Sequence, residues 1–376
     1  MSRFILLAIV VLLAAAMPAY ALDIGGLFGK GNAPGQKNPY AVADEQGFLA
    51  VTAVQSMRPF NKPSLEFEIR LPANWEKQDF SNEPAPDLGQ KILGGIGSFQ
   101  SPLVGTSHIK VFIQARQLEH EISARNWLKN YILSSGYALQ EDVVEESNRR
   151  ALGSYNFVNE TGVYYNHMAA QINGNLVVTA RIEVPLALKN GMGLFIKRAI
   201  DSFRLIYPEE KSVEQQKVFT LVDAMKFNYP ESWEANFPDF KDVNRLSVQI
   251  QNKNSAGSLE GHMRFLAVRR TPETSLKKEI ALLKKYMEGD LSLQFKQMRS
   301  SVKAKISSGR FLFSRLEIYS VAQKDKNIAA QELHLAVLGD KEWYAFIFLL
   351  TPAENTDLYT WARNIQSFDL ALKSVR

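Results

Sequence analysis

The chain of 376 residues contains no cysteine. That excludes disulfides, thiolate nucleophiles, cysteine-bound zinc and lipid attached to a cysteine behind a leader. An exported protein of this composition is held together by packing alone. Histidine is scarce, at five residues. Catalytic patterns are missing as well. There is no H-E-x-x-H and no EF-hand loop. Gly29-Lys30 is followed by Gly31, and position 24 is Ile24, so a Walker A phosphate loop fails. Gly257-Ser258-Leu259-Glu260-Gly261 carries its serine one place too early for a nucleophile elbow. Glu145-Glu146 and Glu209-Glu210 read as solvated pairs rather than acid/base couples. These absences point away from an enzyme, and no cofactor is expected.

What the chain does have begins at its N-terminus. Arg3 precedes an uninterrupted apolar run, Phe4 to Ala16; Pro18 breaks it, and Ala19-Tyr20-Ala21 forms a small-residue cleavage site. This is the layout of a secretory signal over residues 1–21, and the run is shorter than the roughly 20 apolar residues needed to span a bilayer. The expected location is the periplasm, or the medium, of a bacterium. Residues 22–47, with glycines and prolines crowded before Tyr40, read as a flexible linker. The remaining length suits two domains, 48–210 and 211–376. Charge is unevenly divided. Residues 22–210 hold 18 basic and 20 acidic side chains, and residues 211–376 hold 25 and 19. The second half therefore faces anionic surroundings more readily, though too weakly to imply nucleic acid.

One pattern occurs twice. Ile69-Arg70-Leu71-Pro72-Ala73-Asn74-Trp75-Glu76 and Phe227-Asn228-Tyr229-Pro230-Glu231-Ser232-Trp233-Glu234 each end a strand in Pro-x-x-Trp-Glu. Leu65, Phe67, Ile69 and Leu71 alternate with polar residues, as a half-buried strand does. Asn82–Ser101, with Gly94-Gly95-Ile96-Gly97, reads as a loop. Trp127, Leu128, Tyr131 and Ile132 share one helical face behind Ser123, a candidate cap. Asn173-Gly174 is a hairpin signal. In the second half a helix is expected to start at Thr271-Pro272-Glu273, with Leu276, Ile280, Leu283 and Met287 on one face. A second helical stretch is expected over Leu291 to Lys303. Offsets support duplication. Pro72 and Trp75 map onto Pro230 and Trp233, His108 onto His262, His167 and Pro185 onto His334 and Pro352, and Ser202-Phe203 onto Ser367-Phe368. The fold class that follows is α+β, with two similar domains, each an antiparallel sheet packed with helices.

The Leu-Pro-x-x-Trp entry and the Ile-x-Ser-Phe ending resemble the PsbP/DcrB-like α/β/α sandwich, here as two copies covering nearly all of the expected mature chain. That resemblance implies a mostly non-catalytic accessory or assembly role at the envelope. The chain departs from lipid-anchored members by lacking the cysteine, and no family site residue transfers to it.

The candidate residues fall into two groups. Lys277, Lys278, Lys284, Lys285, Lys296 and Arg299 form a basic patch, for an acidic protein partner or an anionic membrane surface. His108, His167, His262 and His334 are weak metal candidates, as one histidine pair per domain; no metal is expected otherwise. Trp75, Trp233, Pro72, Pro230, Phe203 and Phe368 mark the repeat. The leading expectation is a non-catalytic binding or assembly protein of a larger envelope complex, with a cleft between the copies or a binding site on the sheet edge each leaves open. A carrier or sensor of a small apolar or lipid-like ligand is the alternative, and an envelope hydrolase a more distant one.

Overall fold

A computed structural model describes residues 38–79, 91–237, 242–323 and 330–376. The expected signal, most of the linker, and the Pro84–Pro86 part of the expected loop lie outside them.

In chain order the first unit begins with helix α1 (Glu45–Val51), capped by the Asp44 side chain on the Gly47 N–H. Strands β1 (Ala53–Met57) and β2 (Phe67–Leu71) follow, then β3 (Glu76–Lys77), β4 (Ile92–Gln100) and β5 (Lys110–Gln117). Helix α2 (Ala124–Ser134) leads to β6 (Ala138–Ser147), β7 (Arg150–Asn159), β8 (Gly162–Asn173) and β9 (Leu176–Pro185). A 3-10 stretch (Leu186–Gly191), helix α3 (Gly193–Asp201) and β10 (Arg204–Leu205) close the unit. The second unit contains β11 (Gln216–Leu221), β12 (Met225–Pro230), β13 (Glu234–Asn236), β14 (Arg245–Lys253) and β15 (Leu259–Arg269). It continues with α4 (Leu276–Gly289), β16 (Leu293–Val302), β17 (Phe313–Gln323), β18 (Gln331–Gly339), β19 (Trp343–Pro352) and α5 (Leu358–Ser374).

The chain is α+β with two like sheets. The first runs β3-β4-β5-β9-β8-β7-β6 and the second β13-β14-β15-β19-β18-β17-β16, all antiparallel. The same strand order occurs twice. Each sheet is covered on both faces, which is why its central strands are apolar almost throughout rather than alternating. On one face of the first, Phe67, Ile69 and Leu71 of the small sheet and Phe195 and Ile196 of α3 meet Val111, Ile113 and Ile182. On the other, Trp127, Leu128, Tyr131 and Ile132 of α2 meet Tyr155, Met168 and Ile172. The second sheet repeats this, with β11, β12 and α5 on one face and α4 on the other.

The Pro-x-x-Trp segments are the same corner twice. The N–H of Trp75 donates to the Pro72 carbonyl and that of Trp233 to the Pro230 carbonyl, both at 3.1 Å. Both indoles are buried. Trp75 Nε1 donates to Tyr40 Oη at 2.9 Å, while Trp233 Nε1 finds no acceptor among the described residues. Tyr40 is itself buried, and α1 places Phe48 on the same core. The end of the expected linker is therefore packed structure from Tyr40 onward, because two aromatic rings and a capped helix anchor it.

Several local expectations need correction. Gly94-Gly95-Ile96-Gly97 lies in β4, not in a loop. Gly97 is required there, since a Cβ would stand 2.9 Å from the Phe67 ring. The expected helix over Leu291–Lys303 is the edge strand β16. Helix α4 starts behind Ser275, whose hydroxyl accepts from Lys278 N–H, and not at Thr271-Pro272-Glu273. Ser123 does cap α2, accepting from Asn126 N–H.

The tail repeat is also displaced. Ser202 Oγ accepts the N–H of Arg70 in β2. The residue that does this in the second copy, for Asn228 in β12, is Ser374 and not Ser367. Arg376 then exchanges backbone hydrogen bonds with Lys226, as Arg204 pairs with Glu68. Phe368 consequently occupies the place of Ile196 rather than of Phe203. All three are buried.

Candidate functional site

Helix α3 has 9 residues and α5 has 17. Alignment through the two serines places the extra turns of α5 at its start, where the first copy has its 3-10 stretch. Asp357 caps them, its carboxylate accepting from Thr360 N–H at 3.0 Å. These turns do not cover their own sheet alone. Ala362 is buried in the core around α2 of the first unit, with Tyr359 and Trp361 packed beside it. Lys129 of α2 and Glu354, just before α5, form an ion pair at 2.8 Å. Where the chain crosses between units, Glu121 accepts from Val213 N–H at 2.6 Å, and Glu214 accepts from Glu121 N–H at 3.3 Å.

Beside this junction lies a cleft of about 1160 Å³. One wall is the outer part of α2, from Lys129 to Ser134; the other is the segment from Ala353 to Leu358. The ends of β17 and β18 form its floor, and Lys296 and Arg299 of β16 its rim. The lining mixes cations (Lys129, Lys296, Arg299), anions (Glu332, Glu354, Asp357) and amides (Asn130, Gln331, Asn355).

Glu332 is the fixed point of this cleft. It is buried, and it accepts from Arg299 Nη1, from Trp361 Nε1 at 2.9 Å and from His334 Nε2 at 3.3 Å. Burial works against its ionisation, but the hydrogen bonds from His334 and Trp361, with the charge of Arg299, outweigh it and hold the carboxyl below its usual range. The carboxylate thus ties together β16, β18 and the added turns of α5. Sequence reasoning missed Glu332, since a lone acid in an apolar strand carries no motif. Its only signal was the i, i+2 spacing to His334, which puts both on one face of β18.

Of the six basic candidates, Lys296 and Arg299 reach the cleft and the four on α4 do not. Lys277, Lys278 and Lys285 are exposed on that helix. Lys284 lies over the rings of Tyr319 and Phe295, at 5.1 and 5.8 Å from their centroids. Its Nζ donates to Tyr319 Oη at 3.3 Å.

The histidines do not assemble as expected. His167 pairs across β9 at Ile182 and His334 across β19 at Leu349, so these two are equivalent. His108 and His262 are not. Lys110 pairs with Glu183, and His262 with Leu350, so Lys110 is the counterpart of His262. His108 precedes β5 and holds the Ser101 carbonyl at 2.6 Å through Nδ1. His262 shares a register row with Leu333 and Leu350, one residue off His334. Alternate residues of a strand face opposite sides, so His262 and His334 point to opposite faces of one sheet and cannot bind one ion. His262 packs on Phe348 and His334 on Phe368. His167 lines a separate cavity of about 310 Å³ with Tyr165, Lys189 and Lys197. Among the described residues no cluster of three or more His, Asp or Glu could hold a metal.

No family model matches the chain, and no curated protein matches it. Among solved structures it is similar to cyanobacterial PsbP (CyanoP) from Synechocystis sp. PCC 6803. The identity is 12%, over 41% of this chain and 92% of that one, with a TM-score of 0.30. It is also similar to a protein of Bacteroides thetaiotaomicron VPI-5482, at 18% identity over 43% of this chain, with a TM-score of 0.26. The match spans 53% of that protein, about half its length. Likeness of this degree carries no argument about function; the fold rests on the strand pairing itself.

Proposed function

We propose that this is an exported, non-catalytic assembly protein of the bacterial envelope, and that it holds an extended polar segment of a protein partner in the interdomain cleft. The observation that carries the reading is the cleft at the α2–α5 junction, with alternating charge and amides around buried Glu332. Such a lining suits backbone and polar side chains of a peptide better than an apolar ligand, whose burial would strand these groups without hydrogen bonds. Two further points support it. The junction is built from the turns by which α5 exceeds α3, so it belongs to what the second copy adds. The apolar run before Ala19-Tyr20-Ala21 supports export. Kinship with PsbP/DcrB-like sandwiches is part of the same proposal, resting on the Pro-x-x-Trp corners and the doubled sheet order.

The test is site-specific photocrosslinking in intact cells. A crosslinker at Leu133, on the cleft wall, is expected to give a discrete protein adduct. A crosslinker at Val243, which is 79% exposed and does not line the cleft, is expected to give none. Lys129→Glu should abolish the Leu133 adduct. Identical adducts from both positions, or none from either, would overturn the reading.

A further inference from the structure

Each large sheet has one short edge and one long edge. β3 and β13, with 2 and 3 residues, are the short ones. β6 and β16 are the long ones, 10 residues each, and each pairs only with its inner neighbour among the described residues. Short edges are protected by their length; long ones offer unpaired ladder groups to another chain unless charge guards them.

The two long edges stand at the same place in the repeated order and carry opposite charge. β6 contains Glu141, Asp142, Glu145 and Glu146 and no base. β16 contains Lys296 and Arg299 and no acid, and Lys303 and Lys305 follow it. All eight are exposed. Some are matched within the chain: Asp142 by Arg125 at 2.9 Å, Glu146 by Arg150 at 2.5 Å, and Arg299 by Glu332. Glu141, Glu145, Lys296, Lys303 and Lys305 form no salt bridge among the described residues. Apolar side chains accompany the charges, with Val144 60%, Met298 54% and Val302 52% exposed.

We propose that the chain associates with copies of itself head to tail, the acidic β6 edge of one copy adding to the basic β16 edge of the next. Like charge sets β6 against β6 and β16 against β16, so a symmetric pairing of either edge is disfavoured. The cross pairing is the one combination that charge favours. An antiparallel register that sets Glu145 opposite Lys296 also sets Asp142 opposite Arg299, because both pairs are spaced by three. Bulges at Phe295/Gln297 and Met298/Ser300, and three more along β6, limit the added ladder to a short run. Charge therefore supplies register and specificity more than raw affinity. Because the two surfaces differ, the contact repeats from copy to copy and yields either a ring or an open filament.

Sedimentation velocity on the purified full chain tests this. Wild-type mass should rise with protein concentration at low ionic strength and fall back as salt is added. The double variants Glu141→Lys/Glu145→Lys and Lys296→Glu/Lys303→Glu leave Arg299 on Glu332. With native circular dichroism, each alone should remain monomeric. Mixed one to one they should associate again, since the unaltered basic β16 edge of the first variant then meets the unaltered acidic β6 edge of the second. With no native cysteine, Glu145→Cys/Lys296→Cys should give a ladder of disulfide-linked oligomers on oxidation. A wild type that stays monomeric throughout overturns the proposal, as does a mixture that fails to recover association. So does a monomer whose Lys296/Lys303 edge instead binds anionic lipid vesicles.

Discussion

Ser374 Oγ accepts the backbone N–H of Asn228 at 2.8 Å. It fastens the end of α5 to the strand beside the Pro-x-x-Trp corner, as Ser202 does for Arg70 at the same distance. Ser374→Ala leaves that strand N–H without its partner. The expected cost is about 1 kcal/mol, seen as a lower urea midpoint with an unchanged slope. Ser367→Ala removes only a hydroxyl that bonds back to Arg363 carbonyl within the helix, and should cost less. The reverse ranking would show that Ser367 is the true counterpart of Ser202.

That displaced tail illustrates what the sequence could show. Ser202 and Phe203 match Ser367 and Phe368 seven residues short of the contact-defined register, and seven residues are two helical turns. The apolar face is nearly the same after such a shift, so periodicity could not expose the error. The same holds for Leu291, Phe295, Met298 and Val302, which recur at helical spacing. In β16 the bulge between Phe295 and Gln297 brings Phe295 and Met298 onto one face at a spacing of three, while Val302 lies on the other face. The corners, the hairpin at Asn173-Gly174, the cap at Ser123 and the central strands were legible, because turn chemistry and alternation are local, whereas β4 and β16 read as a loop and a helix. Glu332 was not, because its three partners come from β16, α5 and its own strand, and only tertiary packing unites them.

Gly261 separates two kinds of crowding. A Cβ there would lie 2.6 Å from Asn364 Nδ2. That amide cannot swing away, because it donates to the Glu260 carbonyl and to Thr351 Oγ1, while Asn364 Oδ1 accepts from Asn252 Nδ2. Gly261→Ala should cost about 1–3 kcal/mol by overpacking. Gly339→Ala meets the Phe313 ring at 2.3 Å, but Phe313 is 37% exposed and can turn outward. Thermal melts should show the larger loss for Gly261→Ala; equal losses would mean that the Asn364 network is not rigid.

Glu332→Gln tests the carboxylate under the cleft. The folded pKa of Glu332 lies below its ordinary value of 4.5. Its contribution is therefore present above the unfolded pKa and is lost as pH falls through the folded one. At neutral pH the variant should be less stable by about 1–3 kcal/mol, the usual cost of weakening charge-assisted hydrogen bonds. The difference from wild type should shrink as both are acidified below pH 4.5. Urea titrations across that range decide it. A deficit constant with pH would assign the loss to packing instead of ionisation.

His167 and His262 predict a second, separate acid response. Burial lowers the pKa of each from 6.5 to about 4, with Lys197 adding to the effect on His167 and Arg264 on His262. In that interval the unfolded chain binds protons that the folded chain refuses, so stability is whole above pH 6.5 and drains as pH drops toward 4. Each full shift corresponds to a loss on the order of 3 kcal/mol once the ring is charged, at about 1.4 kcal/mol per pKa unit. His262 Nε2 has no hydrogen-bond partner among the described residues, and its ring packs edge-on against Phe348 with centroids 5.7 Å apart. Phenylalanine should therefore occupy the site at little cost near neutrality. His262→Phe is expected to flatten part of the decline in stability between pH 6.5 and 4, and His167→Phe the rest. If the double variant falls as steeply as wild type over that interval, these two rings are not what acid titrates in the folded chain.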